Sequence, residues 1–415
     1  MSHHETADIA VIGAGAAGLM AAYWAAKSNP RLRVVALDGA AKLGAKILVA
    51  GGGRCNVTHD EVSESAYAGA SRPAIRKVLK RFDVEQTVSF FSKNGVELKR
   101  EESGKLFPVT DQARTVLDGL LRAAESVGVR IWHPRRVEHI TLEDGLFIVR
   151  GGWGDLPAHR VILATGGKSL PKSGSDGIGY TFAQGFGHSL TPRITPSLVP
   201  LLLPKAHSLT ALSGISAPVR ISLHDGKGKQ LVSFEESLLC THFGVSGPAA
   251  LDISRYVLDA RADDSAATVR VNWLPDIAPD NADAVLVEAG KLTPMRWVAG
   301  RLPERLTRTL CTEAGIDPAA PLNNLTRAQR QLFARTLTAY VLPVTGDRGY
   351  TYAEVTAGGV PLTELDLKTM ESRIASGLHL CGEICDVDGR IGGYNFQWAW
   401  ASGYVAGVGA AESFG

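Results

Sequence analysis

Short apolar runs alternate with amphipathic stretches along the first part of the chain. Residues 9–12 are all apolar and stop at Gly13, which is typical of a strand buried in a parallel sheet. Residues 16–28 follow as a predicted helix, and residues 111–127 carry apolar side chains at helical spacing. The same criteria predict further strands at 33–37, 129–132 and 160–163, and further helices at 72–82 and 84–93. This alternation predicts an α/β fold.

The pattern changes twice in the second half of the chain. From about residue 192 apolar and polar positions alternate, which predicts antiparallel strands, and then the period becomes helical, most clearly at 296–314 and 327–340. A glycine-rich α/β pattern returns near residue 350. The predicted domains are 1–191 with 350–415 (α/β), 192–280 with a returning segment near 341–350 (β-rich insert), and 281–340 (helical insert).

Composition narrows the range of partners. The 44 basic residues nearly balance the 42 acidic ones, so no electrostatic argument favours nucleic acid or an anionic membrane, and a small-molecule substrate is expected. The five cysteines are sparse and odd in number, and residues 1–8 lead directly into a strand. These features predict a protein of the reducing cytoplasm. No apolar stretch reaches membrane-spanning length.

The turn after the first predicted strand has the spacing of a dinucleotide-binding motif. Gly13 allows a tight turn, Gly15 lets backbone approach a pyrophosphate, and Gly18 lets the helix pack closely against the strand. The helix N-terminus then favours phosphate. Asp38 ends the second strand about 20 residues beyond Gly18, where a carboxylate accepts ribose hydroxyls. Because that carboxylate would repel a 2′-phosphate, FAD or NAD is favoured over NADP.

Later glycine-rich segments match the second half of a flavin site. Residues 46–56 contain three consecutive glycines followed by Arg-Cys-Asn, which predicts bare backbone lining a ring or phosphate, with a flexible surface loop as the alternative. Residues 164–167 end a buried strand at the ligand-binding edge of the sheet, unless they form an ordinary turn. Glu383 suits ribityl hydroxyls, and a helix beginning after Gly393 would stabilise negative charge on a reduced flavin.

Five segments in order along the chain resemble a bacterial family of FAD-binding oxidoreductases; they are Gly13–Gly18, Gly51–Asn56, Thr241–Pro248, Val355–Val360 and Gly382–Gly403. Its members are named NAD(P)/FAD-dependent or "aminoacetone oxidase family" flavoproteins, and they include a reductase of bile-acid double bonds. The resemblance implies a glutathione-reductase-type, Rossmann-like FAD-binding domain with a three-layer sheet, interrupted by a β-rich insert and a small helical domain. It also implies that Val137 backbone meets adenine and that Gly52–Asn56 lie along the flavin.

Motifs and resemblance together define the predicted cofactor-binding residues. They are Gly13, Gly15, Ala16, Ala17, Gly18, Asp38, Lys46, Gly52, Gly53, Arg54, Asn56, Val137, Thr165, Gly166, Gly382, Glu383, Gly393, Tyr394 and Asn395. FAD is the predicted cofactor. No metal site is expected, because the histidines are scattered and His3 and His4 lie at the N-terminus. Because the sequence has only one convincing dinucleotide-binding motif, no separate NAD(P)H domain is expected, and NADH or NADPH would bind only transiently as electron donor.

Two side chains are candidate catalytic groups. Cys55 lies beside Arg54, which would lower the thiol pKa, although packing is the favoured interpretation. His242 precedes a glycine-rich turn and is a candidate proton donor, with a structural role as the alternative. Cys381 and Cys385 have a C-x-x-x-C spacing that differs from the usual redox pair, and small buried hydrophobic roles are favoured for them.

Three functions follow from these features. The first is an FAD-dependent oxidoreductase whose flavin is reduced by NAD(P)H and passes hydride to an organic acceptor such as an activated double bond. The second is an amine or ketone oxidase that returns electrons to oxygen. The third is a tRNA-associated flavoprotein, against which the near-neutral charge argues. The oligomeric state stays open.

Overall fold

The computed structural model describes residues 6–415, and the contacts divide the chain into two compact units. Unit 1 comprises Met1–Pro196 and Glu354–Gly415, and unit 2 comprises Ser197–Ala353. His3 and His4 lie outside the described residues.

The elements are numbered in chain order. Before the insert they are β1 Ala7–Ile12, α1 Ala16–Ser28, β2 Val34–Leu37, α2 Ala45–Val49, β3 Thr58–His59, β4 Tyr67–Gly69, α3 Arg72–Leu79, α4 Val84–Lys93, β5 Leu98–Arg100, β6 Lys105–Pro108, α5 Ala113–Ser126, β7 Arg130–Trp132, β8 His139–Glu143, β9 Leu146–Gly151, β10 Gly154–Leu163, α6 Ile178–Gly185 and β11 Thr195–Ser197. Within the insert they are β12 Leu201–Leu202, β13 Ser216–His224, β14 Gln230–Thr241, β15 Gly244–Ser246, α7 Gly247–Asp263, β16 Thr268–Asn272, α8 Ala282–Glu288, α9 Pro294–Trp297, α10 Glu304–Glu313, α11 Arg327–Thr338, β17 Tyr340–Leu342 and β18 Gly346–Asp347. The chain ends with β19 Val355–Ala357, β20 Leu365–Asp366, β21 Glu371–Ser372, β22 Leu378–Leu380, β23 Val387–Gly389 and α12 Tyr394–Glu412.

Unit 1 is organised around a sheet whose central strands are parallel. The described strands run in the order β22, β10, β1, β2, β7, with antiparallel β9 and β8 added beside β10 and with β21 and β20 beyond β22. Residues 9–12 of strand β1 are all buried, so both faces of this part of the strand are covered, as its hydrophobic run predicts. This arrangement positions the turn after β1 at the carboxyl edge of the sheet, where ligands bind in such folds.

Helices α1 and α12 pack closely because small residues line their contact. A Cβ added at Gly403 would lie 2.6 Å from the carbonyl oxygen of Ala17, and one added at Gly407 would lie 2.2 Å from that of Ala21. Any larger side chain would therefore push the helices apart. Both helices are apolar all round because they are buried. None of the helices within residues 6–415 has the length and hydrophobicity needed to span a membrane.

Unit 2 contains an antiparallel sheet with helices that share its hydrophobic core. Its described strands run β17, β16, β13, β14, β15, β12, β18, and one apolar cluster joins Val219 and Ile221 of β13 with Leu306 and Phe333 of the helices. The stretch of helical period expected at 296–314 contains the end of α9 and the whole of α10, which are separate helices. A left-handed Gly300 and then Pro303, which has no N–H to donate, separate the two helices.

Candidate functional site

The turn after β1 brings two secondary elements into contact through glycine. Gly13 has φ +100°, and a Cβ on it would lie 2.5 Å from the carbonyl oxygen of Ala164, just beyond β10. A Cβ on Gly18 would lie only 1.8 Å from the carbonyl oxygen of Gly13. Glycine is therefore required at both positions by the packing of the chain itself.

Gly15 differs from its two neighbours in the motif. Its φ is −82°, which any residue adopts, and a Cβ added there meets nothing within 4 Å among the described residues. Helix α1 begins at this point, and no side chain of the described part caps its N-terminus. The backbone thus forms a cradle that fits an anionic pyrophosphate, and a side chain at Gly15 would fill it.

Asp38 is held against this turn by backbone groups. The Ala14 N–H donates to Oδ2 and the Ala40 N–H donates to Oδ1, both at 2.8 Å. The carboxylate is half-buried at the end of β2. A fixed acid beside a glycine turn at the carboxyl edge of a parallel sheet fits the ribose of a dinucleotide.

The loop after α2 exposes backbone, as its three glycines predict. Gly51, Gly52 and Gly53 all have positive φ, and a Cβ on Gly52 meets nothing within 4 Å in the described part of the chain. Asn56 is buried at the end of this loop, and its side-chain oxygen has no hydrogen-bond partner among residues 6–415. A buried acceptor requires a donor, and the ring N–H of a flavin would satisfy it.

Arg54 and Cys55 do not interact as expected. The Arg54 guanidinium donates to Glu101 Oε1 at 2.7 Å and lies 4.0 Å from the centre of the Phe107 ring. Cys55 is fully buried, and desolvation raises the pKa of its thiol to about 12. The expected lowering of this pKa by Arg54 is therefore wrong. Cys55 is a neutral thiol in this structure, which supports the packing interpretation.

A polar network surrounds Glu383. Its Oε2 is paired with the Lys46 ammonium, and its Oε1 accepts from the Ser169 hydroxyl at 2.8 Å and from the Thr356 N–H at 3.0 Å. Lys46 also donates to Ser169 at 2.7 Å. The Glu383 and Lys46 side chains are 17% and 28% exposed, so each can also contact a ligand. We call these four residues the side-chain wall.

Sequence reasoning placed Lys46 and Glu383 in the site but missed Ser169 and Thr356. A Cβ on Gly167 would lie 2.4 Å from the Thr356 hydroxyl oxygen. The segment that contains Ser169 therefore meets the segment that contains Thr356 at this glycine. Both missed residues lie next to motifs, Ser169 after the glycine turn at 166–167 and Thr356 within Val355–Val360. That proximity along the chain was the available signal.

Gly382 lies against helices α1 and α12. Its N–H donates to the Ser402 hydroxyl at 2.9 Å, and its carbonyl accepts from the Trp398 indole at 3.1 Å. A Cβ on Gly382 would lie 2.7 Å from Cβ of Ala17. Helix α12 therefore fixes Gly382 beside the first turn of α1, next to the pyrophosphate cradle.

The N-terminus of α12, like that of α1, has no side-chain cap among the described residues. Gly393 has φ +92°, and a Cβ on it would lie 2.6 Å from the carbonyl carbon of Thr58. The Asn395 side chain is engaged with the Gly389 backbone through two bonds of 2.8 Å, and Tyr394 stacks on His59 at 5.1 Å. The Asn395 and Tyr394 side chains are thus engaged by other residues of unit 1.

Val137, Thr165 and Gly166 also lie in unit 1. Val137 is buried in the core of that unit. Thr165 Cα would be 3.2 Å from a Cβ on Gly13, so the end of β10 contacts the glycine turn, and Gly166 continues it with φ +74°. The residues that follow β10 therefore contact the glycine turn that follows β1.

The remaining thiol and imidazole candidates differ in exposure. Cys381 and Cys385 are both buried free cysteines, and burial raises the pKa of each thiol, so neither presents a thiolate. His242 lies in unit 2, where it is exposed and its ring meets Phe243 edge-on at 5.0 Å. Its role as a proton donor stays a prediction. No group of three or more potential metal ligands occurs in the described part of the chain.

Comparisons with known proteins identify the family of the chain. Residues 7–409 match the family described as "HI0933-like protein Rossmann domain". The chain is 35% identical over 408 residues to the 3-dehydro-bile acid delta(4,6)-reductase of Clostridium scindens, covering 97% of this chain and 99% of that protein. It is 34% identical over 407 residues to the ribosomal RNA dihydrouridine synthase of Escherichia coli, covering 97% of each.

A solved structure shows the same fold at low identity. The 3-ketosteroid delta1-dehydrogenase of Sterolibacterium denitrificans superposes with a TM-score of 0.55 at 13% identity, covering 98% of this chain and 100% of that one. The predicted fold class, a Rossmann-like FAD-binding domain with inserted segments, and the predicted family resemblance are confirmed.

Proposed function

We propose that this chain, which belongs to the HI0933-like Rossmann-domain family and is an FAD-dependent oxidoreductase, uses electrons from NADH or NADPH to saturate a carbon–carbon double bond conjugated to a carbonyl group. One observation carries the proposal. Two relatives of equal similarity have names that describe reduction of such a bond, in a 3-oxo bile acid and in uridine. Their substrates differ in size and charge, but the reacting group is the same.

The chemistry divides between cofactor and chain. FAD, when bound, supplies hydride transfer. The carbon β to the carbonyl gains the hydride, the α carbon gains a proton, and the double bond becomes single. The chain would hold the pyrophosphate at Gly15, accept from the flavin ring at Asn56, and place the open N-terminus of α12 where negative charge develops.

A small-molecule acceptor is the favoured substrate class. The net charge of +2 supports it, because RNA-binding proteins usually carry a clear basic excess. The uridine of an RNA is the second candidate, favoured by the 34% identity to the Escherichia coli synthase over nearly the full length of both chains. The two candidates share the conjugated double bond and differ in their need for phosphate contacts.

The donor is tested without oxygen. We expect the flavin bands of the purified protein to bleach on mixing with NADH or NADPH much faster than free FAD does. Bleaching at the rate of free FAD would contradict the donor half of the proposal. Peroxide formation from an amine or ketone, with no nicotinamide present, would instead support the oxidase alternative.

The acceptor is tested with the reduced enzyme. We expect an enone such as a 3-oxo-4-ene steroid to restore the flavin bands and to gain two hydrogen atoms by mass, while its saturated ketone counterpart does neither. Reoxidation by ribosomal RNA alone, lost as salt is raised, would move the substrate class to RNA. If neither the enone nor ribosomal RNA reoxidises the flavin, the proposed reaction is contradicted.

A further inference from the structure

The glycine-rich segment 174–179 has no role in the site described so far. Gly174 and Gly177 have φ +97° and +89°, and they bracket Ser175 and Asp176. Ser175 is only 6% exposed, and its hydroxyl has no hydrogen-bond partner anywhere in residues 6–415. Leaving a buried hydroxyl unpaired is unfavourable, so the free chain is missing a partner at this point.

The Ser175 hydroxyl lies over the cofactor edge of the sheet. A Cβ on Gly166 would lie 2.6 Å from the Ser175 hydroxyl oxygen, and Gly166 is the turn that ends β10. The same turn contacts the fingerprint, because a Cβ on Gly13 would lie 2.5 Å from the Ala164 carbonyl oxygen. The unpaired hydroxyl is therefore next to the glycine turns expected to hold the adenosine half of FAD.

An ion pair links this segment to the ribose acid. Asp176 Oδ2 accepts from the Arg136 guanidinium at 2.6 Å. Arg136 packs beside the residue that follows Asp38, since a Cβ on Gly39 would lie 3.1 Å from the Arg136 Cβ. The N–H of the preceding residue, Arg135, donates to the Asp38 carbonyl at 2.7 Å. The segment is thus tied to the loop that contacts the end of β2.

We propose that Ser175 is a ligand of the adenosine half of FAD and that the Arg136–Asp176 pair is a positioning device that holds it there. A serine hydroxyl both donates and accepts, which suits a ribose hydroxyl or the adjoining phosphate oxygen. The inference rests on FAD binding and not on the identity of the electron acceptor. It extends the nucleotide site to residues that the dinucleotide motif does not include.

The test measures FAD affinity and apoprotein stability of Ser175→Ala. The affinity is expected to fall roughly three- to tenfold, as for the loss of one hydrogen bond, while apoprotein stability stays equal or rises because the hydroxyl has no partner in the chain. The matched control is Ser173→Ala, whose hydroxyl donates to the Leu170 carbonyl at 2.7 Å and should not affect FAD affinity. Unchanged FAD affinity in Ser175→Ala would overturn the proposal, as would equal loss of affinity in both variants.

The positioning role is tested with Asp176→Asn. This variant is expected to weaken FAD less than Ser175→Ala does, and the double variant should be no weaker than Ser175→Ala alone, because the pair acts through Ser175. Additive losses would assign Asp176 an independent role and overturn the positioning claim. Both tests measure FAD affinity, which does not depend on the electron acceptor. They can therefore be interpreted even if the proposed reductase reaction is not observed.

Discussion

The two walls of the candidate cofactor site are built by different means. The fingerprint wall, Gly13–Gly18 with Asp38, is shaped by backbone, and its one functional carboxylate is held by backbone N–H groups. The side-chain wall is held by bonds among Lys46, Ser169, Thr356 and Glu383. Backbone shape dictates residue type locally, whereas a side-chain network depends on segments far apart in sequence. Lys46 and Glu383, for example, are separated by 337 positions.

The largest effect is expected from disrupting the fingerprint wall. Gly18→Ala places a Cβ 1.8 Å from the Gly13 carbonyl oxygen, so β1 and α1 must separate. We expect a stability loss of about 3 kcal/mol or more and purification without FAD. Denaturant unfolding and the visible spectrum measure both.

The matched control is Gly185→Ala, at the end of α6, where a Cβ meets nothing within 4 Å among the described residues. It should keep FAD and gain up to roughly 1 kcal/mol from helix propensity. If Gly18→Ala behaved like this control, the close packing assigned to the fingerprint wall would be wrong.

Removing the centre of the side-chain wall should have a smaller effect. Glu383→Ala leaves Lys46 and Ser169 without their shared acceptor, and we expect FAD affinity to fall about tenfold and stability by roughly 1–3 kcal/mol. Glu101→Ala, which removes an exposed partner of Arg54, is the control and should keep FAD affinity. Equal FAD affinity in the two variants would mean that the network supports no ligand.

The buried thiol of Cys55 is expected to give a pH-dependent stability. An unfolded thiol titrates near pH ~8.5, and burial raises the pKa of Cys55 to about 12. Below pH ~8.5 both states keep the proton and stability is unaffected, whereas above it the unfolded state loses the proton first, so stability falls as pH rises toward 12. At pH ~9.5 the resulting loss of stability is on the order of 1 kcal/mol.

The free energy of unfolding is measured in denaturant at pH ~7.5 and at pH ~9.5 for Cys55→Ala and for the parent protein. Between these pH values Cys55→Ala should lose about 1 kcal/mol less stability than the parent protein does. The substitution also removes packing contacts of the sulfur, but that loss is the same at both pH values. It therefore cancels when the change of stability with pH is compared between the two proteins. An identical decline in both proteins would show that the thiol titrates normally and would restore the expected effect of Arg54.

The smallest effect is expected at Arg54 itself. Its guanidinium pairs with Glu101 and stacks on Phe107, and 40% of the side chain is exposed. Arg54→Lys should cost no more than about 1 kcal/mol and leave FAD affinity unchanged. A tenfold loss of FAD affinity would instead place Arg54 on the cofactor.

The sequence predicts backbone-determined features well. The bounds of α1 match the predicted helix, because strand, glycine turn and helix follow one another locally. The helical period at 296–314 does not reveal the break between α9 and α10, because the apolar spacing continues across Gly300 and Pro303. Ser169, Thr356 and Ser175 were missed because hydroxyl residues have no pattern of their own and gain meaning only from contacts across the fold.

The most direct test of the cofactor site is an FAD titration of apoprotein carrying Gly15→Ala. The structure gives this Cβ open space and an ordinary backbone angle, so the apoprotein should fold with nearly unchanged stability. FAD affinity should nevertheless fall at least about tenfold, because the methyl group occupies the pyrophosphate cradle. Wild-type affinity in this variant would contradict the assignment of the fingerprint wall as the place where FAD binds.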